Sequence, residues 1–583
     1  MAEVSVSYKR DLSLVNLIML NAMGMIGSGW LFAELYASSY AGSLGSIIAW
    51  LLGGFIVLMI ALTYMEVSSA FPLAGGSTPI GEMTHGKLVG FIAGWGAWIS
   101  DIMTPPIEAI AMVTYASAFI PGLVNRHGIL LTDGYIFAVA IMIIVLLVNL
   151  LSVRVFGNAM SILMIWKWLI PLLVIVTLIP LAFHPANLTT YNPFYAGYHG
   201  IFYALVLGGI IFSFEGFRAA VNMAGEARRK DYIWKSVIIS LLLVIALYTL
   251  LQVAFVGAVR WSVIGIKPGD WGAITSTSLT NGPFARIAYD IGFGWLAVIL
   301  LVDAVISPGG AGISYAAYPA RIFQSMANYG YAPKFFSKLD RRGVPSRALI
   351  LGFFLGLAFI YEFPGWDLLV GILTSTLVIA YVVGPASINI LRRTAPDVER
   401  PFTLRGSSVI APVAFIFTFL VIYWSGWPLS GEVVIVTLAG LLMFFFLYLL
   451  SGNEKFSRNE SYMFLLSMVV PFLFSLILVL YYTYSWPVYV IYIDIVLFIV
   501  SIYSYLRLSG KTDIISGSWY VYMLLAAMIL SYIGPAAYGG INIIKFPYDF
   551  IADGIIALIF YIVAQATGHR TKSLEDYVNT SNE

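Results

Sequence analysis

Apolar runs of about 20 residues recur from one end of the chain to the other, separated by short polar stretches. They fall near residues 14–36, 43–65, 88–120, 135–153, 161–182, 199–222, 236–259 and 289–318. They continue near 348–363, 367–391, 408–427, 432–451, 462–484, 486–506, 518–538 and 548–567, sixteen in all. A hydrocarbon layer about 30 Å thick takes about 20 helical residues at 1.5 Å each. The pattern therefore predicts an all-α integral membrane protein with an even number of spans.

Two of these runs are interrupted where a helix should be most regular. In the first, Asn21 to Phe32 reads NAMGMIGSGWLF, with Gly24, Gly27 and Gly29 around Ser28. In the sixth, Gly208 and Gly209 precede IFSFEGFRAA, which sets Glu215, Gly216 and Arg218 in apolar surroundings. Glycine weakens a helix, and broken backbone at membrane depth survives only where protein buries it or a cavity receives it. A single such stretch is explained equally well by small residues that let two helices approach. Two of them, each about 14 residues or roughly 20 Å into its run, five runs apart, match the discontinuous spans of a transporter built from inverted repeats.

Composition and charge narrow the field. The chain has 583 residues, 60% of them hydrophobic and 10% charged, against about a quarter charged in soluble proteins. Of 31 basic residues, an alternating path that starts inside leaves only Arg126, Arg260, Lys267, Arg286 and Lys545 in outer loops. The positive-inside rule then puts both termini in the cytoplasm, with the cell membrane as the expected location. The net charge of +2 arises from loops between spans and does not point to nucleic acid. There is no cysteine, and the five histidines, at 85, 127, 184, 199 and 569, form no pair at metal or haem spacing within a span. No metal and no cofactor is expected.

Broken helices suit the binding of a zwitterion. A half-helix carries roughly half a positive charge at its N-terminal amides and half a negative charge at its C-terminal carbonyls. The amides of Ser28, Gly29 and Trp30 are placed to take a carboxylate. The carbonyls of Met25, Ile26, Phe212 and Glu215 are placed to take an ammonium, and Phe212 and Phe214 to cover the ligand. The candidate substrate site is thus Met25, Ile26, Gly27, Ser28, Gly29 and Trp30 with Phe212, Ser213, Phe214 and Glu215, and an α-amino acid fits it.

These motifs resemble the amino acid–polyamine–organocation superfamily, with its LeuT-type five-plus-five fold. GSGW at 27–30 resembles that family's carboxylate-binding turn. FPLAGGS at 71–77 with GFIAGW at 90–95 resembles its loop between spans two and three, and FSFEGF with AGEARR over 212–229 its sixth span. The segment ARIFQSMANYGYAPKFFSKLDRRGVPSRA at 320–348 is similar to its loop after span eight, and RPFTLRG at 400–406 to the start of its eleventh span. The resemblance covers about residues 10–450. It implies an inverted-repeat core of spans 1–10 over 11–393, spans 11–12 over 394–451, additional transmembrane helices over 452–568, and cytoplasmic tails at 1–10 and 569–583. It also implies a role for Lys167, because proton-coupled members carry a lysine in span five where sodium-coupled relatives hold an ion. Departures from the family pattern at Glu215, Arg218, Lys230 and Thr78–Pro79 leave open an unusual or cationic substrate.

Ionisable residues inside spans are functional candidates by default. Asp303 and Glu108 are the weaker ones, as partners of Lys167 or lining of the path. Glu215 is either an ion-pair partner of Arg218 or a proton or cation site, while Glu34 and Glu66 are expected at the membrane interface. The sequon Asn187–Leu188–Thr189 falls in an outer loop. The leading expectation is a secondary transporter that imports amino acids by proton symport with alternating access. The partners are then a small amino acid or amine, protons and the lipid bilayer. An amino acid or polyamine exchanger is the alternative in the same class, and a channel-like or complex-forming subunit the alternative outside it. No nucleophile–base pair, metal cluster or phosphate loop suggests an enzyme.

Overall fold

The computed structural model describes residues 12–73, 76–151, 157–222, 227–451, 458–508 and 515–582. The expected tail at 1–10 lies outside the described residues. Among the described residues the chain is helical, with two isolated β-bridges and no strand. A helix occupies each of the sixteen apolar runs. Among the described residues nine helices are by themselves long and apolar enough to cross a membrane, and a bent pair makes a tenth.

The first run is α1 (Leu14–Met25) followed, after a break, by α2 (Gly29–Ala70). Instead of ending at a loop near residue 36, the helix continues to Gly42, where φ is +77°, and resumes directly. That corner needs glycine twice over. The left-handed backbone disfavours any side chain, and a Cβ would lie 2.7–2.9 Å from the backbone of Asn192, Pro193 and Tyr195. A short helix, α3 (Ser77–His85), then turns the chain into α4 (Lys87–Ala116). Spans four and five are α5 (Thr132–Leu151) and α6 (Gly157–Ala182).

The sixth run is broken as well. Its first half is α7 (Gly197–Val206), bent by 42° from the segment that starts at Ile210. One short turn, α8 (Ile210–Ser213), leads through a tight 3-10 turn at Glu215–Phe217 into α9 (Arg218–Asn222). Span seven is α10 (Asp231–Ala258) and span eight is α11 (Gly294–Asn328). The latter runs ten residues beyond the apolar stretch because ARIFQSMAN remains amphipathic and packs on α4. The ninth to twelfth runs give α12 (Ser346–Glu362), α13 (Trp366–Tyr381) continued by α14 (Val383–Thr394), α15 (Ser407–Trp424) and α16 (Leu429–Ser451).

The remaining helices are α17 (Arg458–Tyr484), α18 (Val488–Leu508), α19 (Trp519–Ile533), α20 (Tyr548–Thr567) and α21 (Lys572–Asn582). α20 and the segment that leads into α21 are joined to the rest by specific bonds. Tyr423 donates to Asp549 at 2.9 Å, Gln565 to the Ala386 carbonyl at 2.7 Å, and Arg393 to the carbonyls of Gln565 and Gly568. The Thr571 hydroxyl and the His569 amide reach the carbonyls of Met83 and Thr84 on α3. His85 is fully buried there and bonds the Ala564 carbonyl at 3.0 Å.

Candidate functional site

The two breaks touch. A Cβ on Gly24 would lie 3.0 Å from Gly216 Cα, so both positions must be small for the interrupted helices to meet. Asn21 locks the contact from one turn away: its side chain accepts from the Ala220 amide at 2.8 Å and donates to Ser240 on α10 at 3.2 Å. A buried amide that satisfies both its ends specifies one relative position of three segments.

At the break itself, the Ser28 amide donates to the carboxylate of Glu108, at 2.9 Å to Oε2 and 3.2 Å to Oε1. Glu108 is on α4 and 2% exposed. The amide expected to hold a ligand carboxylate thus holds one of the protein's own in this conformation. The Ser28 hydroxyl accepts from Trp366 Nε1 at 2.8 Å. Trp366 stacks on Phe32 and Tyr36, and Phe212 meets its edge. This indole therefore ties both breaks to α13.

The carbonyl end of α1 is occupied in the same way. Lys167 Nζ donates to the Met23 carbonyl at 3.2 Å, the Tyr315 hydroxyl to Gly24 at 3.3 Å and the Tyr248 hydroxyl to Met25 at 2.6 Å. A cation at a helix C-terminus is stabilised by the aligned peptide dipoles. Lys167 is 1% exposed, and the opposite charges acting on it are those of Glu108 and Asp303. Asp303 in turn accepts from Trp166 Nε1 at 2.7 Å and Ser307 Oγ at 2.9 Å. Lys167, Glu108 and Asp303, picked from three separate spans, form one electrostatic unit beside the first break.

The second break has its own charges. Arg218 pairs with Asp101 on α4 at 2.6 Å and lies over the Tyr381 ring, 5.6 Å from its centroid. It does not take the nearer-in-sequence Glu215, which accepts instead from Thr104 at 3.3 Å and has one oxygen without a partner among the described residues. Glycine at 216 and the tight turn direct the two side chains apart. Asp101 escaped the sequence reading because a lone acid in an apolar run shows nothing of what it faces.

Other expected residues are less central. Ser213 bonds its own turn, to the Gly209 carbonyl, and lies against Gly29. Phe214 packs between Trp50 and Tyr248, behind the break. Trp30 turns its ring toward Phe284 on the short helix Pro283–Asp290, and Ile26 and Gly27 are buried in the turn. Glu34 and Glu66, expected at the interface, are both interior. Glu66 is held by Arg392 at 2.7 Å and by the Leu404 amide at 2.6 Å, and Glu34 is fully buried. The Asn187 amide is buried too, donating to Val256 and Val259 carbonyls at 2.9 and 2.8 Å, so the sequon's nitrogen is engaged in the fold. Among the described residues no cluster of three His, Asp or Glu is grouped to hold a metal ion.

An all-helical, multi-pass membrane protein with two touching helix breaks, lined by buried charge, has the features of a secondary transporter. The model of the amino acid permease family matches residues 12–434, and the chain belongs to this family. It is 34% identical over 577 residues to the glutamate/serine transporter AimA of Bacillus subtilis, covering 97% of this chain and 95% of the relative. It is 32% identical over 568 residues to an aspartate-proton symporter of the same organism, covering 96% and 97%. An arginine/ornithine antiporter of Lactococcus lactis is more distant, 25% identical over 75% of this chain and 88% of its own. The alignments with the first two extend over the helices beyond residue 452, where the family model does not reach.

Proposed function

We propose that the protein imports amino acids across the cell membrane by proton symport, both termini facing the cytoplasm, with the inverted-repeat core at 11–393 carrying the substrate. The observation that carries this reading is the bond from the Ser28 amide to Glu108. A substrate carboxylate and the Glu108 carboxylate compete for one helix N-terminus. Protonation of Glu108 weakens its hold, because hydrogen bonds to an ionised acceptor are about twice as strong as neutral ones. The substrate then takes the amide, and proton and substrate load together. Lys167, bonded to the carbonyl end of α1, responds to the charge of Glu108 and links its protonation to the position of the inner half-helix. Arg218, whose Nε has no partner among the described residues, favours substrates with an acidic side chain, in keeping with the glutamate and aspartate named for the two relatives.

The test is reconstitution into proteoliposomes and uptake of each labelled proteinogenic amino acid, with and without an inward proton gradient. Saturable uptake of at least one, stimulated by the gradient, is expected. Uptake that ignores the gradient but requires internal amino acid would establish exchange instead. No saturable uptake of any would overturn the reading.

A further inference from the structure

The carboxyl of Glu34 has no role in the arrangement above, yet among the described residues it shares with Asp494 and Asp553 the condition of a buried acid with neither oxygen partnered, and of the three it alone lies near the helix breaks. It lies on α2 six residues beyond Ser28, roughly 9 Å along the axis at 1.5 Å per residue. In the proposed orientation that is the outer side of the break. The residue is fully buried, and neither carboxyl oxygen has a hydrogen-bond partner among the described residues.

Donors around it are already committed. Tyr115 on α4 gives its hydroxyl to the Leu31 carbonyl at 3.2 Å, and Tyr248 on α10 to Met25. Gln252, also on α10, donates to the Glu34 carbonyl at 3.3 Å and to Ser38 Oγ at 2.8 Å, and accepts from Trp50 Nε1. The backbone of Glu34 is therefore anchored while its carboxyl is left without a bond. No lysine or arginine acts on it. The titratable groups that face it are Tyr115 and Tyr248. Tyr248 also feels Glu108, and Tyr115 also feels Asp303.

A structural role does not account for this. Polar side chains kept for structure satisfy their oxygens, and an apolar residue of similar size would avoid the cost of desolvating an acid. An ionised carboxylate here would have no counter-charge and no side-chain donor, so this conformation holds the neutral acid. The ion becomes affordable only when water reaches it, which opening of the outer side provides.

We propose that Glu34 is the outer proton-carrying residue of the transport cycle, loading from external water and passing its proton to Glu108. This rests on the proton-symport reading. In the transfer, the O–H bond on Glu34 breaks and one forms on a Glu108 oxygen, with entering water bridging the two. Total charge is unchanged, and the proton's arrival releases the Ser28 amide. Glu34 then adds a proton-carrying acid on α2 to the group formed by Glu108, Lys167 and Asp303.

The test uses the full chain in proteoliposomes that enclose a pH-sensitive dye, with the amino acid the wild type takes up best among the twenty. Proton influx per substrate, gradient-driven uptake and counterflow are measured for wild type, Glu34→Gln and Glu34→Asp. In Glu34→Gln the ratio of uptake with and without the gradient is expected to fall to one, with proton influx lost and counterflow still measurable. Glu34→Asp, which retains an acid, is expected to keep both the gradient dependence and the proton influx. Coupled wild type with unaltered coupling in Glu34→Gln overturns the inference and leaves the symport reading standing. Equal loss of uptake and counterflow in folded Glu34→Gln overturns it as well, since a packing role gives that result. A wild type indifferent to the gradient removes both.

Discussion

Replacing Glu108 with Gln tests the competition at the first break. The side chain keeps its shape and one acceptor oxygen but loses its charge. In the wild type the Ser28 amide is shared between the two carboxylate oxygens at 2.9 and 3.2 Å. A hydrogen bond to a charged group contributes about 1.5–3 kcal/mol and a neutral one about 0.5–1.5, so the internal competitor weakens by roughly 1–1.5 kcal/mol. Glu108 is buried, and solvent does not screen the difference. With 1.4 kcal/mol per tenfold in affinity, the Glu108→Gln protein should bind substrate about five- to tenfold more tightly at neutral pH. Wild-type binding should strengthen as pH falls, because protonation removes the same competitor, whereas binding by the variant should be flat. Equilibrium binding of the best-transported labelled amino acid to detergent-solubilised protein, between pH 5.5 and 7.5, reads both effects. Weaker binding by the variant, or an undiminished pH slope, would refute the reasoning.

Lys167→Ala removes the cation from the carbonyl end of α1, and gradient-driven uptake should drop at least tenfold. Uptake at the wild-type rate under a gradient would remove Lys167 from the coupling. Gly216→Ala sets a Cβ 2.8 Å from Gly24 Cα with backbone closer still. Overpacking of this kind costs about 1–3 kcal/mol, and transport should fall with a lowered Tm. Gly309→Ala, with nothing nearer than 3.9 Å, should do neither, and equal behaviour of the two in a thermal-shift and uptake assay would contradict the fit of the breaks. His85, on the short helix outside the spans, has its pKa pushed down to about 4, chiefly by burial. Its folded form prefers the neutral ring, so the contribution is complete above the ordinary value of about 6.5 and is lost as pH falls toward 4. The shift corresponds to about 3 kcal/mol. Thermal unfolding of wild type should therefore lose more between pH 7 and 4.5 than that of His85→Gln, and parallel curves would count against it.

Much of the architecture was legible in the chain. Each of the sixteen apolar runs is occupied by helix, because hydrocarbon leaves the backbone no partner but itself. Both breaks were visible because glycine clusters are costly inside a helix and therefore conspicuous. Lys167, Glu108 and Asp303 could be picked out singly, since charge in an apolar run is rare enough to notice.

What the sequence left open was direction. Whether Arg218 meets Glu215 or Asp101 depends on the turn at Gly216 and the rotation of α4. Whether Glu34 lies at an interface or in the interior depends on α2 continuing to Gly42, where tight backbone packing makes the corner. The coupling of Ser28 to Glu108, and the bonds joining His85 to the last helices, link residues 80 and 479 positions apart. Local pattern determines that a segment is a helix in lipid. Only the packing of helices on one another decides which side chains face, and so which charges stand together at the breaks.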